Sequence, residues 1–215
     1  ENKVVTGVIL VDHPLYHFDR VRAFDTNTSF ICMYSEGFLR SYKKYIDNSM
    51  FIAQLMHGGS YSKDTSSKKV YDVIMAGTIV EPVDFVKQLR SIGNNALENI
   101  FMNIYTNAKN DYSIPLDDYF DKELKSTGLY YDIKANESLK RFVIMEYLLM
   151  DKYLRYNLRC NVLKSLLEAG IQVQLFGNCK AQEFKKYRNL CIHGSVEYKK
   201  LLPEISKSKI LVHDI

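Results

Sequence analysis

The chain has 215 residues, enough to bury a sizeable core as one large domain or two small ones. Its 47% hydrophobic and 25% charged residues are the balance of an ordinary globular protein. No run of about 18 apolar residues occurs, which argues against a membrane-spanning helix. The net charge of +4 is too small to mark a nucleic-acid binder, and no nucleic-acid partner is expected.

Glu1-Asn2-Lys3 leads almost directly into Val4 to Val11, a nearly continuous apolar, β-branched run expected of a strand buried on both faces. It closes on Asp12-His13-Pro14, where proline requires an extended or turned backbone. Ser29 to Met33 is a second strand. Phe38 to Ile46 has helical spacing, with Phe38, Tyr42 and Tyr45 on one side. Met50 to Met56 is a third apolar run and ends at His57-Gly58-Gly59. The small polar residues 60–69 form the best linker in the sequence, and a domain boundary is expected there. Val70 to Ala76 then reads as a new central strand that ends in Gly77-Thr78.

Residues 82–170 are expected to be almost wholly helical. Pro82 suits a first helical turn, where its missing N–H costs nothing. Leu89, Ile92, Ala96, Leu97, Ile100 and Ile104 recur at three- and four-residue steps, although Gly93 weakens the middle. Ser113 to Asp118 opens a shorter helix; Asp117, Asp118 and Asp121 read as an acidic helix start, not a paired-carboxylate site. From Glu137 a long helix carries Leu154, Leu158, Val162 and Leu166 at four-residue steps and stops at Gly170. Ile171 to Phe176 is the next strand, closed by Gly177-Asn178. Leu190-Cys191-Ile192 leads into His193-Gly194-Ser195, where Ser195 is expected to cap a helix across Val196 to Ser206. Lys209 to His213 is the last strand. Strands alternating with helices through short glycine turns argue for an α/β protein with parallel sheet.

Four cysteines (Cys32, Cys160, Cys179, Cys191) lie in or beside apolar stretches without metal-ligand spacing, so they read as small buried hydrophobes in a reducing, cytoplasmic setting. Residues 1–159 hold 20 basic and 20 acidic side chains, whereas 160–215 hold 9 and 5. The surplus around Lys180, Lys185, Lys186, Arg188, Lys199 and Lys200 fits either a phosphate-bearing ligand or a solvated lysine-rich face. No GxGxxG, phosphate loop of the Walker type, GxSxG elbow or HExxH occurs, which turns attention away from dehydrogenases, nucleotide triphosphatases, α/β-hydrolases and zinc proteases. His13 and His17 are separated by Pro14, so a shared helical face is doubtful and no metal is expected. Tyr147, Tyr153 and Tyr156 read as packing residues. In open parallel sheets ligands bind outside the carboxyl ends of the strands, so function is expected at the four turns Asp12-His13-Pro14, His57-Gly58-Gly59, Gly77-Thr78 and Gly177-Asn178.

One ordered set of segments resembles a known family. It comprises Asp151-Lys152-Tyr153-Leu154-Arg155, Arg159-Cys160-Asn161-Val162-Leu163-Lys164-Ser165-Leu166, Gly170 to Asn178, His193 to Tyr198, and Ser206 to Leu211. In the front half it includes Val11 to Leu15, Leu55 to Gly59 and Tyr71 to Thr78. In this order they are similar to the CgeB-like, spore-maturation type glycosyltransferases. That family has the GT-B fold, a pair of Rossmann-type parallel sheets. The resemblance implies residues 1–60 as the remnant of an acceptor-side domain, 61–69 as a linker, and 70–215 as the first part of a donor-side domain with a helical insert over about 82–170.

The resemblance further implies metal-independent sugar transfer from a nucleotide-sugar donor to an unknown acceptor, with no cofactor. Gly77 and Thr78 would lie near the donor diphosphate, whose developing charge backbone N–H groups would stabilise. Gly177, Asn178, His193, Gly194 and Ser195 would lie near the base and ribose. His13 is a candidate catalytic or acceptor-side residue; a cap of the turn before Pro14 is the other reading of the same position. Ser35-Glu36-Gly37 stands where the family would have an aspartate–histidine pair. The family also continues beyond the last strand into a glycine- and arginine-containing stretch, so a chain stopping at Ile215 is expected to lack part of its donor site. The alternatives are a non-catalytic nucleotide- or sugar-binding domain and a protein-interaction α/β domain.

Overall fold

A computed structural model describes residues 4–46, 50–55, 68–81, 85–90 and 92–212. In chain order the elements are β1 (Thr6–Leu10), a 3₁₀ turn (Pro14–His17), α1 (Phe18–Arg22), β2 (Ser29–Met33), α2 (Glu36–Tyr45), β3 (Phe51–Gln54) and β4 (Tyr71–Ala76). The helices α3 (Phe85–Leu89), α4 (Asn95–Asn110), α5 (Leu116–Ser126), α6 (Leu129–Ala135) and α7 (Glu137–Glu168) follow. The chain then forms β5 (Val173–Phe176), a second 3₁₀ turn (Gln182–Lys186), β6 (Leu190–Ile192), α8 (Tyr198–Ser206) and β7 (Ser208–Val212). Among the described residues no helix is long and apolar enough to cross a membrane. His57-Gly58-Gly59, residues 61–67 of the expected linker, Pro82 and His213 lie outside the described residues.

The protein is α/β and divides into two compact units, each with its own parallel sheet. Unit 1 is Glu1–Ser60 with Ala96–Leu149, and unit 2 is Tyr61–Asn95 with Met150–Ile215. The first division falls between Ser60 and Tyr61. The helical stretch, in contrast, does not go to the second domain as a whole, because residues 96–149 group with unit 1.

In unit 1 the strands run in the order β1-β2-β3, all parallel, with Val8 opposite Ile31 and Ile31 opposite Ile52. Leu10, Ile31 and Met33 are buried, but Ile9 is 55%, Val11 66% and Phe51 69% exposed. The first strand is therefore not buried on both faces. It is an edge strand, and successive right-handed crossovers stepping in one direction put their connections on one face of a sheet, leaving the other open. The helices of unit 1 bury Phe101, Ile104 and Tyr105 from α4, Phe120 and Leu124 from α5, and Tyr147 from α7. Phe120 meets Tyr147 edge-on at 4.9 Å. Polar ties reach back to the first sixty residues: Ser41 donates to Asp117, Lys44 pairs with Asp121 and Arg22 with Glu137. These contacts explain why the helices belong to unit 1. Gly93, at φ 73°, separates α3 from α4, so the periodic run from Leu89 to Ile104 is two helices and Ala96 is exposed.

Unit 2 has the strand order β6-β5-β4-β7, again all parallel, with Met75 opposite both Leu175 and Val212. Its core packs Val73, Met75, Val173 and Leu175 against Cys160, Leu163 and Leu167 of α7 and against Phe184. Of the ladder Leu154, Leu158, Val162, Leu166 only Leu154 is buried and the rest are half-buried, because four residues overshoot a 3.6-residue turn by about 40° per step and the row rotates around the helix. The helix ends as its glycine demands: Gly170 sits at φ 77°, its N–H donates to Leu167 O at 3.1 Å, and Ile171 N–H reaches Leu166 O at 3.1 Å. Asn189 Nδ2 donates to Leu167 O at 2.9 Å and to Ile171 O at 2.8 Å, closing the same terminus. Cys32 and Cys160 are buried as expected, Cys179 is half-buried, and Cys191 is exposed because it lies on the edge strand β6. Burial pushes the Cys160 thiol up to about 11, which keeps it protonated and unreactive.

Candidate site at the carboxyl edge of the four-stranded sheet

The sheet of unit 2 steps one way from β4 through β5 to β6, then returns to place β7 on the other side of β4. This reversal sets a topological switch point beside β4, and the residues leaving β4 there are Gly77 and Thr78. Parallel pairing brings the ends of the neighbouring strands to the same edge, with Ala76 opposite Phe176 and Leu175 opposite Ile192. Gly77-Thr78, Gly177-Asn178 and His193-Gly194-Ser195 therefore share one rim.

The rim is tightly knit. Gly77 N–H donates to Phe176 O at 3.0 Å, Ile79 N–H to Asn178 O at 2.8 Å, and His193 N–H to Leu175 O at 2.9 Å. A Cβ on Gly177, whose φ is 153°, would stand 1.9 Å from Gly77 O, so the two glycines let the turns approach backbone to backbone. This differs from the expectation of a bare Gly77 amide offered to a phosphate, since that amide is already engaged. Asn178 Nδ2 donates to Ser195 Oγ at 3.2 Å. Ser195 does not cap α8; the N-cap position is Glu197, with no side-chain cap bond. The His193 ring stacks on Phe176 at 4.4 Å and lies 2.7 Å from Gln174 Oε1 through Nε2.

Charge comes from α7. Lys152, Arg155, Tyr156 and Arg159, spaced to lie on one helix face, line a cavity of about 220 Å³. Arg155 pairs with Asp151, and Lys152 lies over the Tyr156 ring at 5.8 Å. Among the described residues the half-buried Arg159 side chain makes no hydrogen bond or ion pair. Its guanidinium carbon lies 3.9 Å from where a Cβ of Gly77 would be. Counting charge by segment misses this residue, because it falls in the electrically balanced first part of the chain. The helical spacing of Lys152, Arg155 and Arg159 was the signal that could have found it.

His13 belongs to unit 1 and is 8% exposed. Its Nδ1 accepts from Leu15 N–H at 3.3 Å, capping the 3₁₀ turn, and Nε2 lies 3.2 Å from Asp117 Oδ1 and 3.2 Å from Tyr147 OH. Asp117 thus does more than start a helix, accepting also from Ser41 and Tyr147. Burial pushes the Asp117 carboxyl up, but hydrogen bonds from His13, Ser41 and Tyr147 and the charge of His13 outweigh it and hold it below its ordinary value. Ser35 caps α2, its Oγ accepting from Gly37 N–H at 3.2 Å. Among the described residues no group of three or more His, Cys, Asp or Glu side chains could hold a metal ion.

Fold and rim together define an α/β protein with Rossmann-like parallel sheets and one arginine, Arg159, close to Gly77 beside the switch point. Compared with models of known families, with curated proteins and with solved structures, the chain matched none.

Proposed function

We propose that this chain carries donor-binding elements of a metal-independent glycosyltransferase that uses a nucleotide-sugar. The strand order β6-β5-β4-β7 carries the reading, because it sets Gly77 and Thr78 at the position where open parallel sheets receive nucleotides. In sugar transfer the bond between the anomeric carbon and the diphosphate oxygen breaks, and negative charge gathers on the departing nucleoside diphosphate. With the Gly77 amide engaged by Phe176 O, Arg159 is the group suited to receive that charge. His193, Ser195 and Asn178 supply polar atoms and a ring face on the same rim for a base and ribose.

Titration of the chain with uridine and guanosine diphosphates and their sugar conjugates tests this. Saturable binding is expected, weakened about tenfold in Arg159→Gln by the loss of one charged hydrogen bond. Release of nucleoside diphosphate from a panel of activated sugars measures turnover. Binding without turnover would favour a non-catalytic nucleotide-binding domain, and absence of any saturable binding would overturn the reading.

A further inference from the structure

We propose that unit 1 holds a binding site for a small anionic amphiphile, a medium-length alkyl chain bearing a carboxylate or phosphate. The site is separate from the rim of unit 2 and does not depend on the glycosyltransferase reading. It lies between the 3₁₀ turn with α1 on one side and the first part of α7 on the other. A cavity of about 400 Å³ there has an apolar floor of Leu15, Phe18, Ile144 and Leu148. That volume is within the range of small-molecule sites.

A second cavity of about 250 Å³, walled by Val8, Leu10, Val21 and Phe24, shares two residues with the first, His17 and Arg20. These two polar groups therefore stand where apolar hollows meet. The charges around them are unequal. Arg141 pairs with Asp19 and Glu137, and Arg22 pairs with Glu137. Both guanidinium groups also lie over the Phe18 ring, at 5.5 and 5.0 Å. Among the described residues the side chains of Arg20 and His17, in contrast, make no hydrogen bond or ion pair.

Asp12 lines the smaller cavity and would repel an anion there, whereas Asp19, on the larger one, is neutralised by Arg141. The charge pattern thus points the head group at Arg20 and His17 and the alkyl chain along Phe18, Ile144 and Leu148. Met145, 65% exposed at the lip of the larger cavity, would close over the chain, as methionine does in adaptable apolar sites.

Displacement of a dansyl-labelled fatty acid from the full chain tests the proposal, with dodecanoate, dodecyl phosphate and dodecanol as competitors. One or both anions should bind at least about tenfold more tightly than the neutral alcohol, and which anion does so identifies the head group. Decanoate should be weaker than dodecanoate by roughly fourfold for each methylene removed. Arg20→Ala should bring the anions down to the alcohol, whose own binding stays the same. Met145→Asp should weaken all three competitors. Both positions are exposed, so an unchanged thermal melt is expected for each variant. An alcohol that binds as tightly as the anions, an anion preference that survives Arg20→Ala, or no saturable displacement would each overturn the proposal.

Discussion

His13 and Asp117 are 104 positions apart in sequence yet meet at 3.2 Å inside unit 1. Their pairing connects the end of β1, the α2 residue Ser41, the first turn of α5 and Tyr147 of α7 through one carboxylate. A carboxylate so placed must remain charged to accept these hydrogen bonds. Because its folded pKa is depressed, its stabilising effect is complete above the ordinary carboxylate value of about 3.9 and is lost as pH falls through the lower folded value. Denaturant unfolding of Asp117→Asn should show a loss of about 1–3 kcal/mol at neutral pH and a flatter dependence on acid below pH of about 4. An acid dependence identical to that of the parent chain would show that the network contributes nothing. The capping side of His13 was legible, since proline at the next position fixes a turn. Its carboxylate partner was not, because no local spacing reports a contact over such a distance.

Among the elements, glycine positions were the most readable features, though for two different reasons. Gly170 ends α7 with a left-handed backbone, and an added Cβ there would meet nothing within 4 Å. Gly170→Ala should therefore cost only the conformational strain, about 1–2 kcal/mol. Gly177→Ala should cost clearly more, since it adds a collision with the Gly77 carbonyl to the strain. Thermal unfolding of the two variants gives the order, and equal losses would mean that the two turns are not in close contact. Strand positions were recovered within a few residues because short apolar runs closed by turn residues have few other uses. Ser195 looked like a cap by residue type, but its hydroxyl accepts from Asn178 instead.

For the whole molecule, the parallel α/β class could be read from alternation, whereas the assignment of helices to units could not. Periodicity announces that a helix has a face to bury without saying against what. The same limit concealed the open face of the first sheet, where Ile9 and Phe51 are exposed. Exposed apolar side chains of this kind promote association. Replacing both residues by threonine, a β-branched residue that suits a strand, should reduce light scattering of concentrated solutions while leaving the melting temperature nearly unchanged. A large drop in melting temperature would instead mean that the face is covered.

The two units are interleaved along the chain, each being made from two separate stretches. A ribosome therefore delivers β4 before unit 1 has received residues 96–149, and β4 must wait for β5, about a hundred residues later, before it gains that neighbour. Neither half can be trimmed away at a single cut point, and a nascent chain halted midway would present an unpaired central strand to whatever meets it first.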